Sequence, residues 1–214
     1  ILLAGRLGLL VHLDQIVLRR ACTELAEFLD NGSIGYFSVN ASPSDVASLG
    51  YARNLLDILE EYKIDPSAVL IEIIETGVME KSQTARSNLE ELSAAGIKIA
   101  LDDFGSGYAN YRTLLDLPVN VLKVDRSLIN TINERPHLID FLVSIIHMAK
   151  ALGASTVCEG IATEEEKILA GTLGFDALQG FLLSRPVGLA PLRKAIQLQG
   201  EYPIFNQEPV RKTG

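Results

Sequence analysis

Short apolar runs that end on or beside a polar residue alternate with longer helical patterns along the chain. The runs are Tyr36–Asn40, Val69–Ile74, Ile97–Asp102, Val121–Val124, Ser155–Glu159 and Ala177–Gly180. They are rich in Val, Ile and Leu, as strands buried on both faces are. Between them lie the helical patterns Asp14–Leu29, Asp45–Tyr62, Glu80–Ala95, Pro136–Leu152 and Thr163–Leu173. In the fourth, Ile139, Leu142, Val143 and Ile146 share one face at helical spacing. Strict alternation of this kind predicts an α/β fold, a parallel sheet with helices outside it. Two architectures satisfy it, a (β/α)8 barrel and an open doubly wound sheet. The polar residues separate them. Asn40, Glu72 with Glu75, Asp102 with Asp103, Lys123, Glu159 and Gln179 all lie in or at the C-terminal ends of runs. An open sheet gathers its site at one switch point from a few strands. Contributions from every strand predict a closed barrel with one central mouth, although six runs are two short of eight.

The punctuation agrees. Gly96, Gly153 and Gly174 follow helical patterns where a left-handed residue ends a helix. Thr163-Glu164-Glu165-Glu166 reads as a capping box, so this acidic run is a first helical turn with no catalytic role. No linker or low-complexity run divides the chain, and one domain is expected over residues 1–198, followed by a tail over 199–214. The opening Ile-Leu-Leu-Ala-Gly-Arg has neither an initiator Met nor the pattern of a signal peptide. It reads as a chain entered part-way through a domain.

Hydrophobic residues make up 48% and charged residues 21%, which excludes disorder over most of the chain. A mean hydropathy of +0.22 calls for a check on membrane spans. Glu72 interrupts one of the most apolar stretches, and His147 and Lys150 interrupt the other. Neither approaches the ~18 unbroken apolar residues of a spanning helix. The net charge of −8 argues against a basic groove for a nucleic-acid polymer. A nucleotide is still admissible where metal ions screen the carboxylates. Cys22 and Cys158 do not make a disulfide framework, which fits a reducing, cytoplasmic compartment. Cys158 reads as a small core residue.

Glu72, Glu75, Asp102, Asp103 and Glu159 converging with Asn40 on one mouth would repel one another unless cations neutralised them. All-oxygen ligands suit hard ions, so two Mg2+ or Mn2+ ions are expected. Zinc is disfavoured, because His12, His137 and His147 lie on or beside helices and form no cluster with cysteine. Two metals ~4 Å apart activate a water and stabilise a leaving oxygen in phosphodiester displacement. Lys123 adds one fixed positive charge. Taken singly, each element is bland: an acid at a strand end is most often a cap, and Lys123 an ion-pair partner.

The run Leu101-Asp102-Asp103-Phe104-Gly105-Ser106-Gly107-Tyr108, followed by Leu122-Lys123-Val124-Asp125, resembles the signature of the EAL family. These are bacterial phosphodiesterase domains that open the signalling dinucleotide cyclic di-GMP. Ser38-Val39-Asn40, Ile71-Glu72-Ile73-Ile74-Glu75-Thr76, Cys158-Glu159-Gly160-Ile161, Gln179-Gly180-Phe181 and Ser184-Arg185-Pro186 resemble its other motifs in order and spacing. The resemblance implies a TIM-like barrel with one antiparallel strand, and the first two strands missing upstream of residue 1. It implies that Asn40, Glu72 and Asp102 bind a first metal. Asp102, Asp103 and Glu159 would serve the second, with Glu159 also a candidate general base. Lys123 would lie near the attacking water, and Gln179 would support the water or metal network. Glu75 would anchor the loop Phe104–Arg112, which couples the site to a homodimer interface. Tyr108 and Tyr111 offer that interface amphipathic surface. The Glu-Ala-Leu motif itself does not occur, and Ala162 stands where active relatives usually carry glutamate.

The implied function is metal-dependent hydrolysis of cyclic di-GMP to linear pGpG. The alternative is a weakened receptor that binds cyclic di-GMP without cutting it. Accessory sensor or cyclase domains, and a membrane anchor outside this segment, are compatible with such a parent protein. The substrate-binding residues are not assigned.

Overall fold

The apolar runs form six parallel strands in one sheet, in the order β1-β2-β3-β4-β5-β6. The structure is a computed structural model, and it describes residues 10–74, 82–105, 111–132 and 135–198. The strands are β1 (Phe37–Ala41), β2 (Val69–Ile74), β3 (Lys98–Phe104), β4 (Val121–Val124), β5 (Ser155–Cys158) and β6 (Ala177–Leu178). Every described pairing is parallel, and β1 and β6 are the two edges among the described residues. The antiparallel strand implied by the family resemblance is not among them.

The helices are α1 (Leu10–Asp30), α2 (Pro43–Val46), α3 (Tyr51–Glu61), α4 (Gln83–Ala94), α5 (Tyr111–Asp116), α6 (Arg126–Asn130), α7 (Leu138–Ala151) and α8 (Glu164–Leu173). Thr163 caps α8 in the expected capping box. Gly96, Gly153 and Gly174 carry the positive φ anticipated at helix ends. The helix expected over Asp45–Tyr62 is two helices. Gly50, at φ 75°, breaks it, and Asn88 of α4 donates from Nδ2 to the Val46 and Ser48 carbonyls at the break (2.8 Å each). In α7 the buried stripe is Leu142, Ile145, Ile146 and Ala149, whereas Ile139 is half-exposed. The stripe therefore lies one step round the helix from the expected face, following the turns that meet β5.

The sheet has two unlike faces. Phe37, Val39, Val69, Ile71, Ile73, Ile99, Leu101, Leu122, Val124 and Cys158 belong to the large core packed with the helices. Both cysteines are buried and free, and burial pushes the Cys158 thiol up to about 12, as befits a core residue. On the opposite face Leu70, Ala100 and Val121 form a small separate cluster with Val157 beside it. In a barrel this is the inward layer, a packed floor below the mouth.

Edge strand β6 has only two residues, yet it is pinned. Asp176 Oδ2 accepts from both the backbone N–H and the hydroxyl of Thr156 at 2.8 Å. Beyond β6, Gly180 lies so close to Ile161 that a Cβ there would sit 2.1 Å from the Ile161 carbonyl oxygen. The chain divides into two compact units at Ser184/Arg185. The second holds one described helix, α9 (Leu189–Leu198), which the apolar pattern does not single out. Among the described residues no helix is long and apolar enough to cross a membrane.

Candidate metal centre

The inward face becomes polar one step beyond its apolar floor. Glu72 follows Leu70 by two residues, Asp102 follows Ala100, Lys123 follows Val121, and Glu159 follows Val157. Side chains two apart on a strand share a face, so the floor and the charged layer are successive layers of one surface. Asn40 joins them as the register partner of Glu72.

Lys123 is the centre of the layer. It is only 4% exposed, and its Nζ lies 2.7 Å from Glu72 Oε2, 2.8 Å from Asp102 Oδ1 and 2.7 Å from Glu159 Oε1. Three neighbouring strands and the residue after β5 are thereby tied through one ammonium. Burial alone would lower the Lys123 pKa, but the pairs with Asp102, Glu159 and Glu72 outweigh it, and the pKa ends raised. Lys123 is therefore a permanent cation.

Asp102 and Asp103 are adjacent, so on a regular strand they would point to opposite faces. The ladder from β3 to β4 is irregular here. Leu101 pairs with Leu122 and Phe104 with Val124, leaving two aspartates opposite the single Lys123. This is a β-bulge, and Asp103 carries its strain at φ 56°. Aspartate tolerates this left-handed conformation better than most residues. The bulge brings ligand oxygens of Asp102, Asp103 and Glu159 within 4.8 Å of one another. Gly105 turns the chain out of the strand at φ 93°, where a Cβ would strike Leu128 at 2.5 Å.

Four carboxylates against one ammonium leave an excess of negative charge in a partly buried space. Burial raises the Glu159 pKa first; Lys123 opposes this, and Asp102 and Asp103 add to it. Asp103 is raised by burial, then by Asp102 and Asp125, with Lys123 opposing. Asp102 Oδ1 is buried and, beyond its ionic contact with Lys123, has no hydrogen-bond partner among the described residues. Three carboxylates gathered beside a single ammonium retain free lone pairs, a donor set that fits a hard divalent cation.

The other expected residues are placed less centrally. Asn40 is exposed at the end of β1. Gln179 lies just past β6, its side chain exposed and its N–H donating to the Cys158 carbonyl at 2.8 Å. Glu75 and residues 106–110 of the loop Phe104–Arg112 lie outside the described residues. Ala162 is exposed, and its N–H donates to Glu166 Oε2 at 2.7 Å, so Glu166 is spent on the helix cap. The residue that sequence reasoning left without a role is Asp125, which caps α6 by accepting the Ser127 N–H at 2.9 Å. Its place directly after Lys123-Val124 was the available signal.

Comparison with known proteins gives a consistent result. The chain is 33% identical over 186 residues to the bifunctional diguanylate cyclase/cyclic di-GMP phosphodiesterase MucR of Pseudomonas aeruginosa, covering 86% of this chain and 27% of MucR. A PaMucR phosphodiesterase structure in complex with c-di-GMP superposes with a TM-score of 0.82 at 33% identity, over 89% of this chain and 77% of that one. The cyclic di-GMP phosphodiesterase RocR of the same organism is 34% identical over 148 residues, 69% of this chain and 38% of RocR. A manganese/cy-diGMP complex of Klebsiella pneumoniae BlrP1 superposes with a TM-score of 0.73 at 30% identity, over 82% of this chain and 45% of that one. The chain thus spans well under half the length of these curated relatives. The likeness to these barrel domains makes the six-stranded sheet part of a TIM-like barrel. The EAL domain profile matches residues 1–186, and the chain belongs to the EAL domain family.

Proposed function

We propose that this chain hydrolyses cyclic di-GMP to linear pGpG with the help of divalent cations held at the charged layer. The observation that carries the reading is the bulge that turns Asp102 and Asp103 together toward Glu159. Relatives named as cyclic di-GMP phosphodiesterases, and a relative's manganese complex, support the substrate class and the metal class. Mg2+ or Mn2+ suits an all-oxygen donor set. Asn40, Glu72 and Asp102 would hold one ion, and Asp102, Asp103 and Glu159 a second. When bound, such ions offset phosphate charge and make water a stronger acid.

The chain's own groups supply the rest. Lys123 holds Glu72, Asp102 and Glu159 at fixed spacing, so the donors are organised before substrate arrives. Its raised pKa rules it out as a base near neutral pH and leaves it as fixed positive charge. Glu159 is suited to accept the proton of the attacking water, because burial raises its proton affinity toward the working range. Gln179, just past β6, would steady that water. The exposed Leu115 of α5 is a candidate contact for a second subunit. Accessory domains such as a cyclase would belong to the parent protein, as the name of MucR illustrates.

The test is direct. The 214-residue chain is incubated with cyclic di-GMP and Mn2+ or Mg2+, and nucleotides are separated chromatographically. Formation of pGpG that stops with chelator and falls at least ~100-fold in Asp103→Asn supports the proposal. Tight cyclic di-GMP binding without pGpG would favour the receptor reading instead.

A further inference from the structure

Helix α2 is a single turn capped by Ser42, whose Oγ accepts the Asp45 N–H at 3.2 Å. Asp45 is the third helical residue, where an acidic side chain ordinarily reaches back to the N–H of the cap. Here the Ser42 N–H donates to Asp14 Oδ2 of α1 instead, at 3.4 Å. Asp14 has taken over the capping contact, and the Asp45 carboxylate is left inside the protein. Asp45 is 2% exposed, and its Oδ2 is buried without a hydrogen-bond partner among the described residues.

Both aspartates line one cavity of about 40 Å3, bounded by α1, the end of β1 and α3. Ser48, Tyr51 and Asn54 are polar residues that line the same cavity. The buried Asp45 carboxylate, with the half-buried Asp14 carboxylate beside it at one cavity, calls for neutralisation by a proton or by a cation. Burial, then a side-chain hydrogen bond and charge repulsion from Asp45, push the Asp14 carboxyl up to about 7 despite its contact with Ser42. A proton shared across the contact with Asp45 would neutralise one of the two charges and leave the cavity beside the pair unused. A space of this size holds about one water or one ion.

We propose that Asp14 and Asp45 form a structural site for one hard divalent cation of the calcium class, seated between α1, α2 and α3. Two carboxylates match its charge, and the remaining donors are neutral oxygens. Ca2+ accepts irregular sets of oxygens, whereas Mg2+ demands an octahedron and keeps its waters, for which this cavity has little room. The site stands behind the strand that carries Asn40, and its ion ties the N-terminal helix to the turn after β1. It is separate from the charged layer around Lys123 and does not rest on the proposed hydrolysis.

The experiment removes the charged layer first. The full chain carrying Asp102→Asn and Asp103→Asn is titrated with Ca2+ by calorimetry, and its thermal unfolding is followed at pH 7.5. One Ca2+ per chain and a raised Tm are expected. Adding Asp45→Asn should weaken binding by ~100-fold, since half the ligand charge is lost. If Asp45→Asn does not fold, Asp14→Asn serves the same comparison. No uptake with both aspartates intact, or uptake unchanged by the substitution, overturns the site. So does a Tm that does not respond to Ca2+ while both aspartates are intact.

Discussion

Replacing Lys123 by methionine keeps the length of the side chain and removes the one charge that holds Glu72, Asp102 and Glu159 together. Removing one partner from a buried ion pair typically costs about 3–5 kcal/mol, because the remaining charge is left uncompensated. The three carboxylate side chains are 10%, 14% and 15% exposed, so water reaches them slightly. The lower end, about 3 kcal/mol, is therefore expected in metal-free protein at pH 8. For a chain of this size that lowers Tm by roughly 6–12 °C. The loss should shrink on acidification. Glu159 has a raised folded pKa, so its contribution to stability is full below its ordinary value near 4.5 and is lost as pH rises through the folded value. Lys123 opposes that rise. Without it the folded pKa climbs further and the loss at alkaline pH deepens. Urea unfolding of both proteins in chelator, at pH 5 and pH 8, reads the difference. Mn2+ should recover part of the deficit by binding only the folded state. A deficit below about 1 kcal/mol at pH 8, or an equal deficit at both pH values, would refute the assignment of Lys123 as the electrostatic centre.

Other outcomes follow from the same geometry. Asp102→Asn should abolish pGpG formation and change metal-free stability by less than about 1 kcal/mol, because Lys123 keeps two carboxylate partners and a repelling charge is gone; turnover near that of the parent protein would contradict the role of Asp102. Gly180→Ala should destabilise by about 2–4 kcal/mol, since its Cβ meets the Ile161 backbone, which has no rotamer to move; denaturant melts giving an unchanged midpoint would show that β6 and the Ile161 segment separate freely. In chelator the raised Asp14 pKa makes its contribution to stability full below about 4 and lost as pH rises through about 7. Asp14→Asn should flatten that part of the pH–stability curve, with a gain of about 1 kcal/mol at pH 8 after allowance for solvent screening; a curve with the same slope as the parent would sink the prediction.

Where the sequence was legible, local chemistry and tertiary structure agree. The expected bounds of β2 and β4 match the structure because each run is uniformly apolar apart from one inward polar residue. The capping box of α8 matches because all its partners lie within four residues. The misses are non-local. The Asp45–Tyr62 pattern has helical spacing throughout, and its break is held by Asn88 from another helix. The short helices α5 and α6 are too brief to show a period. At the site, the strand ends named Glu72, Asp102, Lys123 and Glu159, and the structure joins all four. The bulge that turns Asp103 beside Asp102 depends on the pairing of β3 with β4, which no single-strand pattern reveals. Asp14 and Asp45 are each ordinary in sequence, and only the fold places them against one cavity.

The central claim is that the bulged Asp102-Asp103 pair and Glu159 hold metal beside Lys123. The most direct measurement is a crystal structure of the chain grown with Mn2+ and cyclic di-GMP, with anomalous scattering recorded at the manganese edge. The account predicts anomalous density in contact with Asp102, Asp103 and Glu159, and the dinucleotide phosphate against it. Density confined to other sites, with those three carboxylates bound to Lys123 alone, would contradict it.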